Sequence, residues 1–349
     1  MNLLLSMGDF GHDRGVLVVV DLAAGRAEVV LDYRPPPHLR VTGKGFAGAS
    51  WVGEPGNSEL LVCGFAAVYR VDPTAWQVRG ILHQPCMNDL HHVTVTDQRI
   101  HVANTGLDAI DVFELDGQFV GSHACAPAWL ARHRQDGEHV AREDWARLLR
   151  PGWSGHPLVW RARELTGSYY RQRADSDRPF HQRVVRDFIH PNHLLAVGDR
   201  LLCTRLADRS VVDMRTFRRV VGDTPGHPHD GVLHAGWLFL TCVNGWIVGY
   251  ESGPGEPWRE TCRIDVFAAS GRHGWCRGLL VDDQHFAVGL TAIVGPARYP
   301  WNERVPTVRA SDTETALLLL DRKSGRLRQH VALAGVSPQG KLYSILPMP

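Results

Sequence analysis

The chain reads as short apolar runs separated by polar turns. Runs such as Leu201-Leu202-Cys203 and Leu240-Thr241-Cys242 are bounded by Asp, Gly and Asn. Short β-branched and aromatic runs between turn residues predict β-strands. Residues 190–201, 227–238 and 89–100 align with one another without gaps, and 275–286 fits the same frame more loosely. Each begins with a polar or aromatic segment, continues into an apolar strand, turns tightly and starts a second strand. Further strand-like runs follow His92 at 100–104, 110–114 and 119–121, and follow Asp230 at 238–243, 246–250 and 262–266. Four short strands in a repeat of roughly 40–45 residues form a propeller blade.

The frame extends over the rest of the chain. One blade starts near Gly43-Lys44-Gly45-Phe46, and the last complete one starts at Gly274. The two ends are complementary: 341–346 supplies one strand, and 3–7, 16–21 and 27–31 supply three. A mixed blade of this kind closes the ring and removes exposed sheet edges. The expectation is a single all-β domain, 1–349, forming a six-bladed β-propeller closed by N- and C-terminal strands, with five or seven blades as alternatives. The spacing between the blade starts at 89 and 190 is about twice the period. The excess, about 125–188, carries helical apolar spacing at 126–134 and 141–150 and reads as a lid-like insertion. A shorter insertion loop is expected at 295–314. Long loops on rigid scaffolds commonly bind or cover ligands.

Charge and cysteine content narrow the function classes. The 349 residues carry 38 basic and 37 acidic side chains, a net charge of +1. That balance argues against nucleic acid, which needs a basic patch, and against an electrostatic membrane anchor. The N-terminal segment lacks a basic n-region, and no apolar run reaches the roughly 18 residues of a transmembrane helix. Seven cysteines, an odd number without a Cys-x-x-Cys pair, predict reduced thiols and a cytoplasmic protein. A Gly-x-Gly-x-x-Gly match at 43–48 has no βαβ context and reads as a turn.

The unusual feature is 19 histidines. In a propeller the innermost strand of each blade lines the central channel, so equivalent frame positions point to one ring. His92, His193 and Asp230 share one level. Asp89, His190, His227 and Trp275 share the level three residues earlier. His91, Asn192, His229 and Arg277 lie between them, where strict alternation turns them sideways. Imidazole suits zinc, copper and iron, and a catalytic metal site typically uses about three protein ligands. His92, His193 and one of His227 or His229 are the expected ligands, with Asp89, His190 and Asp230 completing or orienting the set. Arg277 and Lys44, on the opposite blades, are expected to clamp a carboxylate. The cofactor implied is a divalent transition metal (Fe, Zn, Cu or Mn), and the partner a small-molecule substrate.

The run Trp275-Cys276-Arg277-Gly278-Leu279, followed by Phe286-Ala287-Val288-Gly289-Leu290-Thr291, resembles an uncharacterised family of bacterial propeller proteins. Members share an aromatic-x-Arg-Gly-Leu strand and a Phe-x-Val-Gly-Leu-Ser strand. His229-Asp230-Gly231 is similar to another of their blade starts. The resemblance supports the propeller and Arg277 and implies no reaction. A looser resemblance is to gluconolactonase-like six-bladed propellers, whose calcium-type ion is held by Glu, Asn and Asp, where this chain is rich in histidine. The leading expectation is a metal-dependent enzyme acting on a small polar, carboxylate-bearing molecule, with oxidoreductase chemistry placed ahead of lyase or hydrolase chemistry. The alternatives are a propeller that only binds a ligand or protein and a metal-free enzyme using a His–Asp pair such as His193 and Asp230 as general base.

Overall fold

A computed structural model of the chain describes residues 1–41, 43–53, 58–125, 179–182, 189–251, 258–293, 310–337 and 339–349. These form six four-stranded antiparallel sheets. The innermost strands are β4 (Ala49–Val52), β8 (Leu90–Thr96), β12 (Pro191–Val197), β16 (Pro228–His234), β20 (Trp275–Val281) and β24 (Gly340–Pro347). Each touches the next, and β24 returns to β4, so the ring closes. The protein is a six-bladed β-propeller. The closing blade has the order β24, β1 (Asn2–Asp9), β2 (Gly15–Asp21), β3 (Arg26–Tyr33). Leu3 pairs with Pro347 and Leu5 with Ile345, so both chain ends share one sheet.

The pleat explains why the middle strands are apolar on both faces. In β1, Leu3, Leu5 and Met7 pack into the layer shared with the β20 blade, while Leu4 packs into the layer shared with the β4 blade. In β2, Val16, Val18 and Val20 face the first layer and Leu17 the second. The same division holds in β5 (Glu59–Cys63), where Leu60 and Val62 face one neighbouring blade and Leu61 and Cys63 the other. Successive side chains point to opposite faces, and each face meets another sheet. The core is therefore a set of layers between blades. Fourth strands such as β19 (Arg259–Asp265) lie at the rim and alternate toward exposure.

All seven cysteines are free thiols. No helix among the described residues is long and apolar enough to cross a membrane. The helical stretches expected at 126–134 and 141–150 lie outside the described residues, as does most of the loop expected at 295–314.

Strict alternation along the inner strands does not hold. A one-residue register shift occurs in β8 between Leu90 and His92, in β12 between Pro191 and His193, and in β20 between Arg277 and Leu279. Another separates Ser344 from Leu342 in β24, and one falls across His229 and Asp230 in β16. Each is a β-bulge, which adds a residue and re-aims its side chain. His91 and His229 are consequently turned toward the channel mouth instead of sideways. The bulges also place Gly278, not Arg277, level with His91, Asn192 and Tyr343.

Candidate active site at the channel mouth

The chain enters two inner strands through left-handed backbone. Asp89 has φ of 49° and His190 has φ of 55°. Non-glycine residues rarely occupy this region, and it concentrates at functional sites. The turns bring the two side chains to the mouth together with the bulged residues. The His91 and His190 rings are 4.7 Å apart between centroids, and His91 and His229 are 6.2 Å apart. Tyr343 closes the group at 5.9 Å from His91 and 6.1 Å from His229.

Cations occupy the other side. The Arg277 guanidinium rests 5.2 Å from the Trp275 ring and 5.1 Å from the Tyr343 ring. Its Nε is buried and makes no hydrogen bond among the described residues. Lys44 is paired with Asp89 at 2.8 Å and lies 5.0 Å over Phe65. Burial disfavours the Lys44 ammonium, but Asp89 outweighs it and holds the amine above its ordinary value. Lys341 donates to the Gly43 carbonyl at 2.6 Å and sits 3.9 Å over the Phe10 ring. Burial, then the Lys44 and Arg277 charges, push Lys341 down to about 7.

One imidazole is set apart by its hydrogen bonds. His229 Nδ1 lies 2.8 Å from Asp230 Oδ2. The same oxygen accepts from Gly278 N at 2.6 Å and from Thr241 Oγ1 at 3.2 Å. A carboxylate that only accepts fixes the proton on Nδ1. His229 Nε2 then presents a lone pair, and it is buried without a hydrogen bond among the described residues. Burial holds His229 below its ordinary value even beside Asp230, so the ring is neutral. Burial opposes the Asp230 charge, but His229, His193 and the Gly278 N–H bring that carboxyl down to about 2. His91 is ordered in a similar way, with Nδ1 2.9 Å from the Asp89 carbonyl, and burial and His190 hold it well below its ordinary value.

Deeper in the channel, His92 and His193 are stacked 3.8 Å apart. His92 Nδ1 accepts from Leu194 N at 3.3 Å, which makes the ring neutral. Burial and the neighbouring His193 hold His92 well below its ordinary value, and burial brings His193 down to about 4. With Asp230 they form the polar wall of a cavity of about 180 Å³ whose other walls are mainly apolar, among them Leu195, Val232, Leu280 and Leu346. The channel thus has a polar mouth, a layer of stacked imidazoles and an apolar far half.

The ligand set expected from the sequence is divided. His229, His190 and Asp89 are at the mouth, and His92 and His193 form the layer below. His227 is turned to its own blades, with Nδ1 2.7 Å from the Leu206 carbonyl and Nε2 3.5 Å from Arg209. Strand β16 enters directly from that residue, so its imidazole packs beside the strand start. Among the described residues no group of three or more His, Cys, Asp or Glu side chains is arranged to hold a metal ion. The structure does bring Asp230, Arg277 and Lys44 to one site. It adds Lys341, Tyr343 and Thr241, which the frame did not mark, and it promotes His91. Gly278 was the available signal: its φ of 69° is the bulge that sets the true register.

Fold and site together define a six-bladed β-propeller whose channel mouth joins buried imidazoles to cations. No family model matches the sequence, and no curated protein matches it. Among solved structures, it is similar to a protein of unknown function from Bacteroides caccae, at 12% identity over 99% of this chain and 98% of that one, with a TM-score of 0.58. It is similar to a chain of a nidogen/laminin complex at 9% identity, covering 98% and 97%, with a TM-score of 0.56. A 6-phosphogluconolactonase candidate from Bacteroides fragilis aligns at 10% identity over 99% and 96%, with a TM-score of 0.47. At such identities the likeness concerns the fold alone.

Proposed function

We propose that the channel mouth is the active site of an enzyme that removes a proton from a small carboxylate-bearing substrate, with His229 as general base oriented by Asp230. The observation that carries this reading is two complementary buried groups at the mouth that have no hydrogen-bond partner among the described residues. Arg277 Nε is a donor and His229 Nε2 an acceptor. A buried polar group without a partner costs about 1–3 kcal/mol, and one ligand answers both. Its carboxylate accepts from Arg277, and its O–H, or a C–H beside a carbonyl, faces His229. The Asp230 carboxylate fixes the tautomer that leaves Nε2 free and stabilises the imidazolium formed on proton transfer, the logic of His–Asp pairs generally. Lys44 is already neutralised by Asp89, so Arg277 is the main anchor.

On this proposal the metal-free His–Asp reading is preferred to the metal-dependent one. Among the described residues, His91, His190 and His229, the imidazoles nearest one another at the mouth, are not arranged as a ligand set for Fe, Zn, Cu or Mn. Elemental analysis of the purified protein, of a His91→Ala/His190→Ala variant and of a His92→Ala/His193→Ala variant separates the two readings: a stoichiometric metal lost in either variant would restore the metal-dependent reading. The direct test is calorimetric titration with a panel of small 2-hydroxy and 2-oxo carboxylates, followed by turnover assays on those that bind. Binding is expected in the wild type, weakened in Arg277→Met and kept in His229→Asn, which should bind without turnover. Turnover that survives in His229→Asn would overturn the role given to His229. Binding without turnover in the wild type would leave a propeller that only holds its ligand.

A further inference from the structure

The three lysines of this chain are Lys44, Lys323 and Lys341, so 35 of its 38 basic residues are arginine. Two of the three lysines stand at the channel mouth. Arginine is charged under all ordinary conditions, whereas a lysine amine can become neutral and nucleophilic. Lys341 is placed for that state. It is 7% exposed, and no carboxylate pairs with it among the described residues. Its hydrogen bond goes to the Gly43 carbonyl, an acceptor that a neutral amine also satisfies. Lys44, by contrast, is held as an ammonium by Asp89 at 2.8 Å.

Resting on the carboxylate-binding reading, we propose that Lys341 forms an imine with the carbonyl of a small 2-oxo acid whose carboxylate is held by Arg277. The free amine attacks the carbonyl carbon, and the oxygen takes up a proton to give a carbinolamine. A proton passes from nitrogen to the hydroxyl oxygen, the C–O bond breaks, that oxygen leaves as water and the C=N bond forms with one hydrogen kept on nitrogen, giving the protonated imine with no net oxidation or reduction. The protonated imine is an electron sink for the carbon beside it, the carbon whose proton His229 is aimed to remove. The groups facing Lys341 agree with this. Lys44 and Arg277 disfavour a further positive charge, and Asp89 and Asp9 only partly offset them. Asp9 is itself occupied by Gly11 N, His12 N and Ser337 Oγ. The resulting value of about 7 leaves a large share of free amine at neutral pH.

The test is reductive trapping with pyruvate and sodium borohydride, read by intact mass and by peptide mapping. One adduct per chain is expected, on Lys341, with Lys44 and Lys323 unmodified. Lys341→Met and Lys341→Arg should abolish it, and circular dichroism establishes that both variants are folded. The trapped fraction should rise with pH through about 7. Parallel calorimetry separates the two readings. If pyruvate binds the wild type and Lys341→Arg but no adduct forms, the imine is wrong and the carboxylate site stands. If it binds neither and no adduct forms, both are wrong for this substrate class. Adducts spread evenly over the three lysines would also overturn the assignment.

Discussion

The two sides of the channel mouth use one backbone device to different ends. On one side β8 and β16 carry bulges that turn His91 and His229 inward, and His190 enters β12 from a left-handed turn. On the other, the bulge in β24 presents Tyr343, the bulge in β20 follows Arg277, and the segment ahead of β4 adds Lys44. Burial drives His91 and His229 toward neutrality, so their side offers lone pairs. Lys44 and Arg277 stay charged, so the other side offers positive donors. Six sheets of the same architecture thus form an asymmetric site. The character of the mouth is set by which residue stands at each inner-strand start, and the blade repeat contributes only the place.

The sharpest way to break this division is at Asp230, which touches both sides through His229 and Gly278. Asp230→Asn removes the charge that orients His229, and turnover should fall about 10²–10⁴-fold, the usual contribution of a positioned base. An unchanged kcat would show that the dyad is structural. Arg277→Met should act on binding instead. Loss of a charge-assisted hydrogen bond of about 1.5–3 kcal/mol predicts about 10–100-fold weaker carboxylate affinity, read by calorimetry. Equal effects of both variants on affinity would erase the division.

Much of this fold can be read directly from the residues. Leu3 to Met7 and Val16 to Val20 are apolar on both faces because each strand lies between two blades, and the complementary chain ends mark a shared sheet. The bulges were not legible, because one inserted residue leaves the apolar run intact while it rotates everything before it. That single offset hid His91, Tyr343 and Lys341, and it set Arg277 level with residues one step further along. Of the residues gathered at the mouth, Asp230, Arg277, Lys44 and His229 were marked by the repeat. The separation of His92 and His193 from the mouth was not, since it depends on which side of a bulge each residue falls.

Gly278 tests that offset. With φ of 69°, an added Cβ would lie 2.7 Å from Leu342 Cδ2 and 3.0 Å from Ile345 Cγ1. Gly278→Ala should cost about 1–3 kcal/mol and loosen the N–H that Asp230 accepts, lowering both the denaturation midpoint and turnover. Gly236→Ala has a comparable φ of 82° but meets nothing within 4 Å. It should cost about 1–2 kcal/mol for the left-handed backbone alone and leave turnover unchanged.

The imidazole side should also show in the pH dependence of stability. His91, His92, His193 and His229 all titrate below their ordinary value in the folded state. The unfolded chain therefore binds more protons than the native one as pH falls from 6.5 toward about 4, the value reached by His193. Stability is lost across that window. Asp230 adds a further loss between 3.8 and about 2. His193→Gln should make the upper slope shallower by up to one proton, measured by urea midpoints at several pH values. A slope identical to the wild type would mean that this ring is not held neutral.

Lys44 provides the smallest and most discriminating comparison within the cationic side. It stands as near the mouth as Arg277, yet Asp89 at 2.8 Å already balances its charge. Lys44→Met removes a cation but also releases Asp89 as an uncompensated carboxylate, so the effect on an incoming anion is repulsion from Asp89 more than loss of a direct contact. Affinity should fall only a few-fold, less than for Arg277→Met, and a Lys44→Met/Asp89→Asn double variant should recover most of it. Recovery shows that the pair shapes the mouth and leaves anchoring to Arg277. If instead the double variant binds as weakly as Arg277→Met, the carboxylate is held by Lys44, and the two cations exchange roles.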